Sequence, residues 1–184
     1  MKAIELMKEE HSNIKRLLRV IRKLCINILN RSEVDYEAFY SAIDFIRNYA
    51  DKHHHGKEED ILFAEMLEKM DEGINRAPVQ GMYAEHDLAR LFVSNLEEAL
   101  KRVRDGDRDS RVDIIANAIA YADLLDRHIY KENNAIYTFA EKKLSEESIK
   151  HVEEECERIE NTAMDQGIQQ KYARMLETLE KAVV

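Results

Sequence analysis

Two copies of the motif His-x-x-x-Glu are the residues of this sequence best suited to bind a metal ion. They are His54 with Glu58 and His128 with Glu132. Residues four apart lie on the same face of an α-helix, so each motif offers an imidazole and a carboxylate together. Imidazole and carboxylate are ligands that suit iron, manganese or zinc.

The first motif has a competing register one residue later, His55 with Glu59. The lysines inside the motifs discriminate between the two registers. Aligning Lys57 with Lys131 pairs Glu59 with Asn133 rather than with a second glutamate. We therefore predict that the earlier register carries the metal, and that replacing His55 has little effect on binding.

A further histidine precedes each motif at a similar distance. Glu10-His11 lies 43 residues before His54, and Glu85-His86 lies 42 residues before His128. The pattern thus repeats with a period of about 75 residues, as in chains built from two similar units. Two halves, each with two histidines and one glutamate, indicate one site shared between them.

The elements that must position these residues are helices. The sequence has five glycines and one proline, and it lacks the alternation of a half-buried strand, which predicts an all-α chain. Each predicted helix of the core has an apolar stripe that is interrupted by one of the four histidines. The predicted helices span about 2–30, 35–70, 79–104 and 112–144, with caps at Asp35 and Ser145, a reversal at 71–78, and two further helices separated by a break at 165–167.

Short turns between the helices predict an up-down-up-down antiparallel four-helix bundle, with additional C-terminal helices packed on it. At a rise of about 1.5 Å per residue, His11 and His54 each lie roughly 28 Å from the turn that joins their helices. The two histidines should therefore be level. We predict a single domain, residues 1–184, with a core at 1–144 and a helical extension at 145–184.

Buried imidazoles and carboxylates cost several kcal/mol each unless they are hydrogen-bonded or coordinated. Four apolar stripes that each carry a histidine at matching depth are best explained by a metal, which removes that cost. We found no cysteine among these inward residues, which argues against iron–sulphur ligation and a thiolate zinc site. The predicted metal ligands are His11, His54, Glu58, His86, His128 and Glu132.

The overall composition excludes some partners. A formal net charge of -9 argues against nucleic acid and anionic membrane surfaces, which recruit clustered Lys and Arg. No apolar run is long enough to span a bilayer, and none resembles a signal peptide. Cys25 and Cys156 lack the CxxC spacing and lie on apolar stripes, which is typical of reduced core thiols in a cytoplasmic protein.

With this pattern the sequence resembles the hemerythrin-like, or HHE cation-binding, domains over the four-helix core and the C-terminal tail. The resemblance implies a non-heme di-iron centre with two iron ions, an oxo or hydroxo bridge, terminal histidines, and Glu58 and Glu132 as bridging carboxylates. Oxygen-carrying hemerythrins have a fifth histidine four residues after the counterpart of His86, where this chain has Arg90. They also have an aspartate where this chain has Glu132. These departures argue against reversible oxygen carriage.

Three kinds of function fit the sequence. The first is a di-iron protein that acts on oxygen, peroxide or nitric oxide, or that releases iron for the repair of iron–sulphur clusters. The second is a module that senses or stores iron or oxygen without turnover. The third is a structural bundle without a metal. No protein partner is predicted.

A di-iron centre with these ligands should leave one coordination position open for a small molecule. That position should face a small apolar pocket. Tyr121 lies seven residues before His128, two turns away on the same stripe. The rest of the wall is predicted from the apolar positions Leu125, Ile14, Ile61 and Leu62. Such a pocket would admit small neutral molecules such as oxygen, nitric oxide or peroxide.

Overall fold

A computed structural model describes residues 1–31, 33–69 and 76–183 of the chain. Every regular element within these ranges is a helix, and the described residues contain no β-strand. The all-α prediction is confirmed. None of the described helices is long and apolar enough to cross a membrane.

Four long helical stretches carry the predicted ligands. The first stretch is one α-helix, α1 (Lys2–Arg31). The second begins with α2 (Tyr36–Phe45), continues through two π-helical segments (Ile46–His55 and Glu58–Phe63), and ends with α3 (Ala64–Lys69). The side chain of Asp35 accepts a hydrogen bond from the Ala38 amide and caps α2, as predicted.

The third stretch is α4 (Ala77–Arg104), which a 3-10 turn (Arg108–Ser110) joins to the fourth stretch. The fourth stretch consists of α5 (Arg111–Lys131), a π-helical segment (Glu132–Ile136) and α6 (Tyr137–Lys143). Most of the predicted reversal at 71–78 lies outside the described residues. Pro78, which is among the described residues, lies in the first turn of α4. The amide hydrogen that proline lacks would have no partner within the helix at this position.

Two further helices follow, α7 (Glu146–Asp165) and α8 (Ile168–Ala182). Ser145 caps α7 by accepting from the Ser148 amide, as predicted. The predicted break is Gly167, whose φ of 67° is left-handed and therefore suits glycine. α7 packs on α1 and on the second π-helical segment, while α8 packs on α1 and α2.

Neighbouring stretches run in opposite directions. His11 of α1 contacts Asn133, and Lys15 of α1 pairs with Asp126. The residue numbers on the fourth stretch therefore fall as those on α1 rise, which shows that the two are antiparallel. The other three pairs of neighbouring stretches are antiparallel as well. The contacts that show this are Asn13–Tyr49 and Glu10–His54 between the first and second stretches, Arg47–Glu97 and Asp51–Arg90 between the second and third, and Glu85–Lys131 and Arg102–Asp113 between the third and fourth.

Two hydrophobic clusters fill the interior. One contains the later part of α1 from Ile14 onwards and extends to Tyr172 of α8. The other contains Ile4 and Met7 at the start of α1 and extends to Cys156 of α7. The histidines and glutamates singled out in the sequence belong to neither cluster, and they occupy the polar layer between them.

Candidate metal centre

The polar layer contains all six predicted ligands. Each of them is at most 1% exposed. Every one of the four long stretches contributes to the layer, because α1 supplies His11, the second stretch supplies His54 and Glu58, α4 supplies His86, and the fourth stretch supplies His128 and Glu132.

The candidate donor atoms form two groups, and within each group they all lie within 4.8 Å of one another. Glu58 belongs to both groups. The remaining members of the first, the His54 group, are His11, His54 and Glu132, and those of the second, the His86 group, are His55, His86 and His128. The structure thus brings the predicted residues together and adds His55 to them.

Glu58 faces one imidazole of each group with a single oxygen. Its Oε2 lies 3.6 Å from Nε2 of His54 and 3.6 Å from Nε2 of His86. The other oxygen, Oε1, accepts a hydrogen bond from the hydroxyl of Tyr137, a buried residue that the sequence analysis did not single out. This hydroxyl also lies 3.5 Å from Nε2 of His11. Tyr137 therefore orients the carboxylate that the two groups share.

Glu132 faces both groups with separate oxygens. Its Oε2 lies 3.2 Å from Nε2 of His11, and its Oε1 lies 2.9 Å from Nε2 of His128. Nε2 of His128 lies only 2.9 Å from Nε2 of His86. Two nitrogens bound at right angles to one metal, each about 2.1 Å from it, would be about 3.0 Å apart. The spacing of these two imidazoles thus matches that of neighbouring ligands.

Several buried polar atoms at the centre have no hydrogen-bond partner among the described residues. They are Nε2 of His54, Oε2 of Glu58 and both side-chain oxygens of Glu132. The two oxygens of Glu132 are instead close charge partners of His11, at 3.2 Å, and His128, at 2.9 Å. A buried polar group without a partner costs about 1–3 kcal/mol, and more when it is charged. Coordination to a cation would satisfy all four atoms, so the residues present fit a metal.

The Nδ1 atom of every candidate histidine is held by an oxygen. Because these oxygens can only accept, Nδ1 carries a hydrogen, and Nε2 is the ring nitrogen that can bind a metal. The pairs are His11 with Asn133 (3.0 Å), His54 with Glu10 (2.7 Å), His55 with Asp51 (3.3 Å), His86 with Glu59 (2.6 Å) and His128 with Glu85 (2.9 Å).

The acceptors repeat in the same way as the ligands. Glu10 and Glu85, which come directly before the upstream histidines, each hold the histidine of the following motif. Each also pairs with the lysine of that motif, Glu10 with Lys57 and Glu85 with Lys131. The sequence repeat therefore extends to the residues that orient the ligands.

Burial and neighbouring charges shift the pKa values of the centre in both directions. Burial alone would lower the pKa of His128, but Glu132 and Glu85 raise it to about 9. Burial and the neighbouring charge of Glu132 raise the pKa of Glu58 well above its usual range. Burial, together with the charge of His11, lowers the pKa of His54 to about 4. His54 is thus neutral at pH 7, as a coordinating imidazole must be.

His55 was left out of the predicted ligands, yet it is 3% exposed and lies in the His86 group. Its Nδ1 partner, Asp51, also pairs with Arg90, and Arg90 pairs in turn with Glu59, the Nδ1 partner of His86. The ring of His55 stacks on that of His86, with centroids 3.9 Å apart. The position where oxygen carriers have a fifth histidine is thus an arginine that fixes the carboxylates behind His55 and His86.

A cavity of about 100 Å³ adjoins His55 and His86. Tyr121 lines it, and the buried Tyr121 hydroxyl has no hydrogen-bond partner among the residues that the structure describes. The other residues predicted for the wall, Leu125, Ile14, Ile61 and Leu62, do not line this cavity. Its apolar lining consists of Ile46, Ala89 and Val93, and the charged Arg47, Asp51 and Arg90 line it as well.

The sequence of this chain matches the family model described as the hemerythrin HHE cation binding domain over residues 2–140. The chain belongs to this family. No curated protein and no solved structure gives a significant match.

Membership of the hemerythrin family agrees with the helical fold and with the clusters of histidine and glutamate that could hold a metal. All six predicted ligands, together with His55 and Tyr137, lie inside the matched range. The helices α7 and α8 lie beyond it.

Proposed function

We propose that this chain is a non-heme di-iron protein of the hemerythrin type. His11 and His54 would hold one iron, and His55, His86 and His128 would hold the other. Glu58 and Glu132 would be ligands shared between the two metals. The observation that supports this most directly is that each carboxylate faces an imidazole from both groups.

The donor set and the family together support iron. Five imidazoles and two carboxylates suit iron, zinc or manganese, and membership of the hemerythrin family favours iron among them. We infer that the four long stretches form an up-down-up-down bundle within a single domain spanning residues 1–184. The opposite course of neighbouring stretches supports this arrangement. The free, buried thiols of Cys25 and Cys156 support a cytoplasmic location.

The ligand of the metal centre is proposed to be a small molecule such as oxygen, nitric oxide or peroxide. Iron, when bound, supplies the redox chemistry for such ligands. The cavity beside His55 and His86 has room for a molecule of this size. It is lined by the apolar Ile46, Ala89 and Val93 and by the charged Arg47, Asp51 and Arg90. The unpartnered hydroxyl of Tyr121 supplies one hydrogen bond to it.

The proposal is tested by loading protein purified without a His tag with ferrous iron under anaerobic conditions. Metal analysis should give two iron ions per chain. Stopped-flow mixing with oxygen should convert the ferrous centre to the ferric form, and mixing with nitric oxide should give a new absorption band. Zinc-loaded protein serves as the control and should respond to neither gas.

Three other outcomes would contradict parts of this proposal. Fewer than two metals per chain would contradict the shared centre. A stable and reversible complex with oxygen would favour a carrier or sensor over a protein that converts oxygen chemically. A ferrous protein that reacts with neither gas would point to storage of iron or to a different native metal.

A further inference from the structure

Lys57 is a fully buried cation beside the centre. Its side chain is 0% exposed, and its ammonium group contacts the carboxylates of Glu10 and Glu160. Nζ also lies 3.3 Å from Nε2 of His53. A buried ammonium group is costly unless carboxylates pair with it, so both carboxylates are needed to hold Lys57 in this position.

Glu160 comes from the C-terminal extension. It lies on α7, beyond the residues that match the family. Its Oε1 lies 3.0 Å from Nε2 of His53, and its Oε2 accepts a hydrogen bond of 2.9 Å from Gln169 of α8. Both helices of the extension therefore direct this carboxylate towards Lys57.

The contacts continue from Lys57 to a candidate ligand. Lys57 pairs with Oε1 of Glu10, while Oε2 of the same carboxylate accepts the hydrogen bond from Nδ1 of His54. Because Lys57 is shared between two carboxylates, Glu10 retains more negative charge for His54. A carboxylate in this position orients the ring and makes its other nitrogen a stronger metal ligand.

The second half of the repeat lacks this support. Lys131 pairs with Glu85, which holds His128, but the side chain of Lys131 is 41% exposed. Among the residues that the structure describes, no second carboxylate pairs with Lys131. The extension thus gives Lys57 a second carboxylate that Lys131 lacks among the described residues.

The atoms around Lys57 could also be interpreted as a third metal site, since donor atoms of Glu10, His53 and Glu160 lie within 4.8 Å of one another. The ammonium group of Lys57 contacts both carboxylates and already supplies a positive charge there. The geometry therefore favours a role for this cluster in orienting His54.

We propose that Glu160 is a positioning residue for the metal centre, acting through Lys57 and Glu10 on His54. The metal held by His11 and His54 then depends on the C-terminal extension, whereas the metal of the His86 group does not. This inference rests on the proposed two-metal centre.

The test is a titration of the metal-free full-length protein with cobalt(II), whose visible spectrum reports each bound equivalent. The variant is Glu160→Gln, which removes the charge and keeps the shape. Its matched control is Glu180→Gln, which removes another carboxylate of the extension, one that pairs with Arg16 of α1. Wild type and control should bind two equivalents. Glu160→Gln should keep one equivalent unchanged and bind the other about ten-fold or more weakly.

A second measurement separates positioning from a general loss of packing. If Glu160 acts through Lys57, Glu160→Gln should add little further weakening in a Lys57→Met background. Equal weakening of both equivalents, the same loss in Glu180→Gln, or full additivity with Lys57→Met would overturn the inference. So would two unchanged equivalents in Glu160→Gln. Wild-type protein that takes up no metal would instead overturn the proposed function, and this inference with it.

Discussion

A neutral imidazole has one nitrogen that donates and one that accepts, and the partner of the donor decides which nitrogen is free for a metal. At this centre five imidazoles have an oxygen at Nδ1, and the oxygens come from Glu10, Asp51, Glu59, Glu85 and Asn133. The rings are therefore oriented before any metal arrives, which reduces the cost of assembling the site on binding.

The role of His55 follows from this arrangement. We expect His55→Ala to retain one metal per chain and to lose the one shared with His86 and His128. His54→Ala should lose the other. Metal analysis of the purified variants, with the exposed His151→Ala as control, checks both expectations. A His55→Ala protein with two metals would support the register that the lysine alignment predicted.

The two cysteines are expected to be unreactive in the native protein. Burial raises the pKa of Cys25 to about 11 and that of Cys156 to about 12. The native state therefore keeps both thiols protonated at a pH where the unfolded chain begins to lose these protons, above about 8.5. Stability should fall as the pH rises above that value.

Iodoacetamide labelling at pH 8 provides the corresponding measurement. Native protein should react slowly, and protein unfolded in urea should react rapidly at both thiols, because the thiolate is the reactive form. Rapid labelling of the native protein would show that at least one thiol is reached by solvent.

At the scale of the elements, the π-helical segments carry most of the ligands. His54, His55, Glu58 and Glu132 all lie on them. A π-helical turn closes i→i+5 hydrogen bonds, so it contains one more residue than an α-helical turn and shifts the faces of the residues that follow. Adjacent His54 and His55 can then both face the centre.

Gly56 lies between two π-helical segments in ordinary right-handed helical conformation, with φ of -58° and ψ of -40°. A Cβ atom there would meet nothing closer than the carbonyl oxygen of Asp51 at 4.0 Å. We therefore expect Gly56→Ala to stabilise the metal-free protein by about 0.5–1 kcal/mol, because it restricts the unfolded chain. Urea unfolding followed by circular dichroism measures this difference. Destabilisation or a loss of metal would indicate that the backbone at Gly56 must move.

The helices α1 and α4 and the inward positions of His11 and His86 could be derived from an α-helical period, since α1 and α4 follow that period throughout. Those of the other four ligands were derived from the i, i+4 spacing of the two His-x-x-x-Glu motifs. The inward position of His55 could not be derived, because the π-helical turns that bring it inward leave no pattern in the spacing of apolar residues. Tyr137 was not predicted for the same reason, because it lies five residues after Glu132 and directly follows a π-helical segment. Glu160 could not be found because its partner, Lys57, is 103 residues away.

At the scale of the whole molecule, the centre separates the interior into two hydrophobic clusters. A polar layer with unpartnered carboxylate oxygens weakens the contact between them unless a cation is bound. Binding to the native state stabilises it by mass action, so metal-loaded protein should melt at a higher temperature than protein treated with a chelator. Differential scanning calorimetry measures both melting temperatures, and equal values would contradict a contribution of the metal to stability.

The advantage of the loaded form should depend on pH. Coordinating imidazoles must be neutral, so protons compete with the metal as the pH falls. Competition begins at His128, whose pKa is raised to about 9, and comes much later at His54, whose pKa is lowered to about 4. Metal content and the difference in melting temperature should decline together over that range. A metal content that stays constant while the difference vanishes would show that the two are unrelated.

The contact of Glu160 with Lys57 also bears on the ancestry of the chain. Two copies of a single ancestral hairpin, paired about a two-fold axis, would have supplied the same ligands twice and two identical metal positions. The helix α7, which contacts Glu10's partner Lys57 but not Lys131, does not follow this two-fold symmetry. In an assembly of two identical hairpins each copy would carry its own extension, so a contact made on one side alone requires both halves to belong to one chain.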